Sequence, residues 1–478
     1  MNVEELLNLY NPWWEKGEDA LGDLPTFERP VLETLTKDSR TQPQILSITG
    51  PRRVGKTTVL RQLVRHFIRQ GKDPHRLVYY SLDDPALFRP NVQPGRVFES
   101  LMIELRKRAG KQKVLLLLDE IQRLDRWELY LKKYYDLGYP FRFVISGSAS
   151  SPIFKKTRES LLGRVKDYHL LPFSFREFLL YSLQGKENLL GELSSIRETG
   201  TALMGMLAGD PRHLDLEKVT LHHVSDDLWT VCKDLSKKYV SEGGFPEVWN
   251  LPTWEQKVDY LYDNQVKKVI YEDLVLAAEF RKPEQLKRFY LSLLEKPGRE
   301  VNLSGVAKET RIDVQQVEKY LPLLEMTDLV AHIEKFRKSP LRVRRGHLKF
   351  YLIDLALRNA VLRVQADIVN DPETMGLYAE NLVFNALRKW RGTITLDYYR
   401  DRDGEIDFIV HTRPYRYLPI EVKYRDSIED SDLRTIRNFM RRFQSGISLV
   451  VTKRYEDFGL RGGNVFYIPL LHFLLLFD

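Results

Sequence analysis

The sequence predicts an α/β protein of several domains, and three observations carry that prediction. Between about residues 41 and 180, strand-like apolar segments alternate with helix-like ones, which indicates a parallel sheet with flanking helices. A phosphate-loop octet, Gly50–Thr57, joins the first strand-like segment to the first helix-like one. Residues 372–478 then show the order helix, two or three strands, helix and strand, which indicates a second α/β region.

Length and composition limit the number of domains, the possible partners and the cellular setting. The 478 residues suffice for about three domains of ~100–200 residues each. The formal net charge of +8 fits an acidic partner such as nucleic acid, and it equally fits a soluble protein that is merely basic. The single cysteine, Cys232, excludes an internal disulfide framework and a multi-cysteine zinc site, and it fits a reducing, cytoplasmic setting.

Targeting and membrane segments are not expected. The start of the chain, Met1–Glu5, lacks the basic and apolar regions of a secretory signal. The longest apolar runs, such as Phe473–Phe477, are far shorter than the ~20 residues that span a bilayer. The sequence therefore predicts no membrane partner.

Five regions are expected along the chain. Residues 1–40 form a lead-in segment whose Trp13 and Trp14 would cover an apolar edge of the next domain or, alternatively, lie near a base held by the phosphate loop. Residues 41–180 form the phosphate-loop domain, and residues 181–282 are mostly helical with a tight turn at Gly243–Pro246. The strands expected in the phosphate-loop domain are Ile45–Thr49, Leu77–Leu82, Val114–Leu118 and Phe141–Ser146.

The last two regions differ in character. Residues 283–355 read as three helices followed by two extended segments around a basic stretch, which predicts a winged helix. Residues 372–478 form the second α/β region.

The phosphate loop carries the strongest functional signal. Backbone N–H groups of the loop and of the following helix would cradle phosphate oxygens. Lys56 would reach the outer phosphates and Thr57 would hold magnesium, so ATP or a close relative and Mg²⁺ are the expected ligands. The expected nucleotide-binding residues are Gly50, Pro51, Arg52, Arg53, Val54, Gly55, Lys56, Thr57 and Thr58.

An acidic pair, Asp119 and Glu120, ends the apolar run Val114–Leu118. Asp119 would bind the magnesium shell through water, and Glu120 would orient and polarise the attacking water. The alternative is a surface pair at a strand end without a catalytic role. The phosphate loop upstream at the usual distance favours the catalytic interpretation.

Two further residues are candidates for the same chemistry. Ser148, at the end of the next strand, would sense the terminal phosphate or hold the water; the alternative is a hydroxyl that caps the following helix. Arg164 would act as an arginine finger supplied to a neighbouring subunit, with Arg158 as a lesser candidate. The alternative for both arginines is an ordinary solvated side chain.

Together these motifs resemble the archaeal-type AAA ATPases. The resemblance rests on Asn11–Trp14, the phosphate loop with Thr58, Leu118–Gln122, and Ser146–Ser148. Leu170–Phe178 and Gly243–Pro246 add to it.

The resemblance implies an additional-strand (ASCE) P-loop core, a helical lid and a C-terminal module with a restriction-endonuclease-like core. It also implies that Pro246 approaches the nucleotide base. A homo-oligomer such as a hexamer is the expected assembly.

Charged residues recur in the C-terminal region. Glu380 lies on the apolar face of a helix, where a carboxylate needs a metal or an ion pair as partner. Glu421 and Lys423 are two apart on one strand and so share a face, with Asp407 expected on the adjacent strand. Three carboxylates would hold one or two Mg²⁺ ions, with Asp407 and Glu421 as ligands, and the lysine would orient or activate water for phosphodiester hydrolysis.

This arrangement resembles the PD-(D/E)XK nuclease pattern, including that of archaeal Holliday-junction resolvases. Two alternatives remain open. Lys423 would then serve only in ion-pair packing with its neighbours, or the domain would keep the nuclease fold without its activity.

The basic hairpin of the predicted winged helix is a candidate DNA-binding element. Such a cluster would neutralise backbone phosphates. It would otherwise be a solvated face or a protein-interaction surface. Its residues are Arg337, Lys338, Arg342, Arg344 and Arg345.

Two functional hypotheses follow. The first is an ATP-hydrolysing enzyme that moves or remodels DNA, with branched DNA such as a Holliday junction as substrate and metal-dependent cleavage in the C-terminal domain. The second is a switch-type regulatory ATPase whose C-terminal domain is a docking module.

Overall fold

The computed structural model describes residues 3–148, 161–209, 224–274, 283–295, 297–337, 347–364, 366–402, 404–413, 416–462 and 464–478. The chain folds into two compact units. The first unit consists of Met1–Leu171, Tyr271–Arg281 and Met326–Asp328. The second unit consists of Pro172–Ile270, Lys282–Glu325 and Leu329–Asp478.

The first unit is built around a five-stranded parallel sheet in the order β2-β3-β4-β1-β5. Its strands are β1 (Ile45–Gly50), β2 (Leu77–Ser81), β3 (Val114–Asp119), β4 (Phe141–Ser148) and β5 (Val165–His169). Its helices are α1 (Val3–Tyr10), α2 (Trp13–Lys16), α3 (Val31–Thr41), α4 (Lys56–Arg69), α5 (Pro94–Ala109) and α6 (Trp127–Asp136).

The four strands expected in this domain are present to within two residues at each end. All six residues of β3 are buried, as expected for a strand covered on both faces. The fifth strand, β5, was not predicted. It lies at the sheet edge, and three of its five residues are charged or histidine, so it lacks the apolar pattern of the others.

The lead-in segment covers the outer edge of β2, which confirms the first interpretation of its tryptophans. The Asn11 side chain donates to the Tyr79 carbonyl oxygen over 3.0 Å and accepts from the Tyr79 N–H over 2.6 Å. The indole N–H groups of Trp13 and Trp14 donate to the Leu77 carbonyl oxygen over 2.9 and 3.1 Å. These side chains take up backbone groups that an edge strand otherwise leaves unpaired.

The second unit combines many helices with a nine-stranded sheet. The helices that precede the strand Val330–Lys335 are α7 (Phe175–Ser182), α8 (Glu187–Gly209), α9 (Asp226–Glu242), α10 (Trp254–Leu261), α11 (Pro283–Glu295), α12 (Leu303–Thr310) and α13 (Val314–Met326). The remaining helices are α14 (Leu355–Leu362), α15 (Pro372–Arg388), α16 (Arg434–Phe443) and α17 (Leu470–Phe477). After α10 the chain forms π-helical turns at Tyr262–Lys267 and Val269–Asp273.

The nine strands run in the order β13-β14-β12-β11-β10-β9-β7-β8-β6. They are β6 (Glu300–Asn302), β7 (Val330–Lys335), β8 (His347–Leu352), β9 (Thr395–Arg400), β10 (Glu405–Arg413), β11 (Arg416–Lys423), β12 (Ser448–Thr452), β13 (Gly459–Arg461) and β14 (Val465–Pro469).

One strand pairing joins residues 283–355 and residues 372–478, which the sequence analysis assigns to different regions. The three helices and the hairpin expected between residues 283 and 355 are present as α11, α12, α13 and β7–β8. However, β7 pairs in parallel with β9, with Glu334 opposite Asp397 and Lys335 opposite Tyr398. The hairpin therefore extends the C-terminal sheet. The winged helix as a separate domain stays a prediction.

Helix α16 is strongly amphipathic. Its apolar side, including Ile436 and Phe439, packs on an aromatic cluster with Phe336, Tyr399 and Tyr417. Within the part of the chain that the structure describes, no helix has both the length and the apolar character needed to cross a bilayer.

Candidate functional sites

The phosphate loop connects β1 to α4 in the first unit, and its two glycines are required by geometry. Gly50 has a φ of 149°, and a Cβ placed on it would lie 1.9 Å from the Leu170 carbonyl oxygen. Gly55, with a φ of 95°, stands immediately before α4 in the left-handed region. A side chain at either position would strain the backbone, so the loop keeps its N–H groups accessible at the helix N-terminus.

Lys56 is held inside the loop. Its side chain is 6% exposed, and its ammonium donates to the carbonyl oxygens of Gly50 over 3.0 Å and Pro51 over 2.6 Å. Burial lowers the pKa of Lys56, and the carboxylates of Glu120 and Asp119 partly oppose that shift. A phosphate oxyanion beside this ammonium would add a further favourable charge contact.

The Asp119 carboxylate, at the end of β3, accepts hydrogen bonds from three hydroxyl groups. Its Oδ2 accepts from Thr57 over 2.6 Å and from Tyr79 over 2.8 Å, and its Oδ1 accepts from Ser146. Neighbouring ligands of an octahedral Mg²⁺ with bonds of 2.0–2.1 Å lie ~3 Å apart. The Thr57 hydroxyl and the Asp119 carboxylate are thus close enough to serve one ion, so these residues fit the expected magnesium.

Glu120 follows Asp119 in the left-handed region, with a φ of 51°. Burial raises the pKa of Glu120, although the Lys56 ammonium opposes the shift. Gln122 donates to its Oε2 and holds the carboxylate in place. A positioned carboxylate with a raised pKa is a better base toward water than an ordinary glutamate.

Near the end of β4, the Ser146 hydroxyl donates to Asp119 Oδ1. Ser148 is opposite Gly50 in the strand register and is 6% exposed, so it lies beside the start of the loop. Its predicted role toward the terminal phosphate stays a prediction. Ser146 belongs to the Ser146–Ser148 motif, but the sequence alone does not mark it as a partner of Asp119. Only the register of β3 and β4 brings the two residues together.

A second polar chain, absent from the sequence predictions, reaches the loop from later in the first unit. Thr49 contacts His169 Nδ1 over 3.1 Å, and His169 Nε2 contacts Asp328 Oδ1 over 2.8 Å. Asp328 is 7% exposed, and its charge acts on Lys56. No local motif marks Asp328, which is more than 150 residues from His169 in sequence.

Arg164 lies where the parallel strands begin, whereas the phosphate loop lies where they end. Its carbonyl oxygen accepts from Ile45 N–H over 2.8 Å at the start of β1, which is five residues, or ~16 Å, from Gly50. Its guanidinium pairs with Asp136 over 2.9 Å. Arg164 therefore does not reach the loop of its own chain, and its role toward a neighbouring subunit stays a prediction. Arg158 lies outside the described residues.

Pro246 begins a short 3₁₀ turn, Pro246–Asn250, in the second unit. Its predicted approach to the nucleotide base stays a prediction.

The charged residues of the C-terminal region meet around a lysine that was not predicted. Lys349, on β8, is 1% exposed at its side chain. Its ammonium lies 3.0 Å from Glu380 Oε1, 2.5 Å from Glu405 Oε1 and 3.1 Å from Asp407 Oδ1. These four residues form what is called here the carboxylate–lysine cluster.

Two further hydrogen bonds hold the carboxylates of the cluster. Tyr351 donates to Glu380 Oε1 over 2.7 Å, and the Val422 N–H donates to Asp407 Oδ2 over 2.9 Å. Burial, and next the Asp407 charge, raise the pKa of Glu380 to about 7. Burial opposes the charged form of Lys349, but the surrounding carboxylates outweigh it and raise the pKa of the ammonium.

Glu421 and Lys423 lie side by side on β11, as predicted, and form an ion pair. The strand register that puts Phe408 opposite Ile420 also sets Asp407 beside Glu421. Burial and the Asp407 charge raise the pKa of Glu421 to about 8. Among the described residues, no group of three or more His, Cys, Asp or Glu side chains is arranged to hold a metal ion.

Of the predicted DNA-binding residues, only Arg337 falls within the described part of the chain, where it is half-buried. Lys338, Arg342, Arg344 and Arg345 lie outside the described residues. A basic surface that was not predicted lies on the outer side of α16. It consists of Arg434, Arg437, Arg441 and Arg442.

Comparison with known proteins agrees with this geometry for the first unit. Residues 42–179 match the AAA domain family. The first unit thus contains a P-loop ATPase domain of the AAA type, with β4 inserted between the phosphate-loop strand and the Asp119 strand. Two families described as domains of unknown function, DUF8612 and DUF4143, match residues 233–368 and 375–473.

Three proteins that are similar over most of their length are described as uncharacterized. One, from Methanocaldococcus jannaschii, is 24% identical over 437 residues, which cover 91% of this chain and 85% of that protein. A second from the same organism is 26% identical over 376 residues, with coverages of 77% and 72%. An uncharacterized Haemophilus influenzae protein is 22% identical over 432 residues, with coverages of 88% and 92%.

Among solved structures, C. elegans PCH-2 aligns with 52% of this chain and 66% of its own, at 13% identity and a TM-score of 0.29. A TM-score this low does not establish a shared architecture.

Proposed function

We propose that this protein is an ATP-hydrolysing enzyme whose turnover is coupled to DNA binding. The observation that carries the ATPase part is the convergence of Lys56, Thr57, Asp119 and Glu120 at the carboxyl edge of the parallel sheet. The coupling to DNA is the finer part of the proposal and rests on the charge of the second unit.

In the proposed reaction, the loop N–H groups and Lys56 bind the phosphates. Thr57 and Asp119 would hold Mg²⁺, which neutralises charge on the phosphates when it is bound. Glu120 orients the attacking water, and its raised pKa lets it take up the proton. Gln122 limits the rotation of the Glu120 carboxylate.

The arginines of α16 support DNA as the partner. Arg434, Arg437 and Arg441 recur at helical spacing on the side opposite Ile436 and Phe439, so they form one basic face. Arg434 and Arg441 are exposed. Such a face neutralises backbone phosphates and reads shape more than sequence, in keeping with duplex or branched DNA, including Holliday junctions.

The test is ATP turnover and DNA affinity with duplex, single-stranded and four-way DNA. The double variant Arg434→Glu/Arg441→Glu is expected to weaken DNA binding and to flatten its salt dependence, because two phosphate contacts are lost. The double variant Lys238→Glu/Lys319→Glu makes the same charge change at exposed positions on other helices, α9 and α13, and is the control. Equal DNA affinity for both double variants would exclude α16 as the binding face.

A switch-type regulatory ATPase is the second candidate, and the Thr49–His169–Asp328 chain favours it. This chain ties the strand before the phosphate loop to a segment that directly precedes β7 in sequence, so nucleotide binding at the loop would act on it. One tightly retained nucleotide with negligible turnover, with and without DNA, would favour this function over the first.

Assembly belongs to the same proposal. A cytoplasmic homo-oligomer, such as a hexamer, would place Arg164 against the nucleotide of a neighbouring subunit. Native mass spectrometry with and without ATP measures the assembly directly.

A further inference from the structure

The carboxylate–lysine cluster does not fit the metal ion that the nuclease resemblance implies. Glu380 and Asp407 are two of the acidic residues expected to surround Mg²⁺, yet both point an oxygen at the Lys349 ammonium, at 3.0 and 3.1 Å. Glu405 adds a third contact to the same nitrogen. A cation of the protein's own therefore stands among the carboxylates.

We propose that Lys349 is a built-in substitute for a divalent metal in this cluster, so that the C-terminal domain keeps nuclease-type carboxylates but neither binds Mg²⁺ there nor cuts DNA. The proposal concerns the C-terminal domain alone. It goes beyond the coupling of ATP turnover to DNA and does not depend on it.

Lys349 cannot readily make way for a metal, because its backbone is fixed. It lies on β8 between two strands, opposite Glu300 of β6 and Ile333 of β7. Its side chain is 1% exposed, so a displaced ammonium would remain buried without its carboxylates. Breaking a buried ion pair in this way costs several kcal/mol, which a weakly held magnesium does not offset.

A metal and this ammonium also cannot share the cluster. A divalent ion bonded to Glu380 and Asp407 at ~2.1 Å would lie within a few ångströms of the Lys349 nitrogen. Two positive centres at that separation repel strongly in a buried site. Glu380 Oε1 also accepts from Tyr351, and Asp407 Oδ2 accepts from the Val422 N–H.

The Glu421 carboxylate, beside the cluster, is only partly paired. Its Oε1 accepts from Lys423, while its Oε2 is buried and has no hydrogen-bond partner among the described residues. Once the Lys349 charge is removed, this oxygen and the carboxylates of Glu380, Glu405 and Asp407 would be left without the cation that now neutralises the cluster. Lys349→Met keeps the length of the side chain without its charge, and it should therefore create a divalent-metal site.

The experiment measures Mn²⁺ binding by electron paramagnetic resonance on the full-length chain without nucleotide. Asp119→Asn is present in every sample, so that the phosphate-loop site does not contribute. The expected result is only non-specific Mn²⁺ binding with Lys349 in place. In Lys349→Met we expect one specific site that binds Mn²⁺ on the order of tenfold or more tightly than this non-specific binding. Adding Glu380→Gln should abolish that site.

Lys423→Met is the matched control. Lys423 pairs with one carboxylate, Glu421, and its side chain is 25% exposed, so its removal should not create a Mn²⁺ site. Circular dichroism verifies that each variant is folded. If Lys349→Met does not fold, the measurement with Lys349 present still decides.

Three results would overturn the proposal. One is a Mn²⁺ site, with Lys349 present, that Glu380→Gln or Glu421→Gln abolishes. Another is folded Lys349→Met that binds no more Mn²⁺ than the control. The third is Mg²⁺-dependent DNA cleavage by the unmodified protein that Glu421→Ala abolishes. None of these results bears on ATP turnover or its stimulation by DNA, which are measured separately.

Discussion

The stability of the second unit should fall as the pH rises, because Glu380 is buried with a raised pKa. Its pKa rises from 4.5 to about 7 in the folded protein. The folded state therefore binds more protons than the unfolded state between these values, so stability is fully present below pH 4.5 and is lost as the pH rises through 7. At 1.36 kcal/mol per pKa unit the full loss is ~3 kcal/mol, and most of it falls between pH 5 and pH 8.

Glu380→Gln removes this titration. The variant should therefore lose less stability than the unmodified protein between pH 5 and pH 8, by ~2–3 kcal/mol. Urea-dependent hydrogen exchange of peptides from α15 and β10, read by mass spectrometry, measures the local unfolding free energy at each pH.

Glu373→Gln is the control on the same helix. The Glu373 side chain is 83% exposed, so its removal should leave the pH dependence unchanged. If Glu380→Gln and the unmodified protein lose the same stability between the two pH values, the burial argument for Glu380 is refuted.

Three more predictions concern the first unit. Glu120→Gln should retain ATP binding in calorimetry but lower steady-state turnover by ~10²-fold or more, and near-normal turnover would remove Glu120 from the reaction. Asn11→Ala should cost ~2–4 kcal/mol in urea unfolding, because Asn11 is 1% exposed and exchanges two hydrogen bonds with Tyr79; a loss below 1 kcal/mol would contradict that role. Arg164→Ala should lower turnover of the assembled protein by up to ~10³-fold, and normal hydrolysis in the assembled state would end the finger assignment.

The phosphate-loop site was predictable because its residues are close in sequence or follow buried strands. The loop needs Gly50 and Gly55 for its backbone, and the run before Asp119 is apolar throughout because β3 is covered on both faces. Local sequence therefore encodes both the elements and the edge at which they meet. By contrast, β5 has Lys166 and Asp167 side by side and buries only Tyr168, so it is recognisable only from its pairing with β1.

The residues that were missed are those whose partners depend on the tertiary fold. Lys349 meets Glu380 and Asp407 only because β7 pairs with β9 and brings β8 into the same sheet. Nothing near Lys349 in sequence distinguishes it from the other basic residues of the hairpin. Asp328 likewise meets His169 only in the folded chain, across a long sequence separation.

The pairing of β7 with β9 has a consequence for how this chain can be divided. A fragment that starts at residue 372 would lack Lys349 and would leave three neighbouring carboxylates to repel one another, with the edge of β9 uncovered. A fragment that stops at residue 355 would lose β9, the strand with which β7 pairs. The two regions are therefore expected to be inherited, transplanted and expressed only as a single piece, and a boundary drawn between them from sequence profiles should not be used as a cutting point.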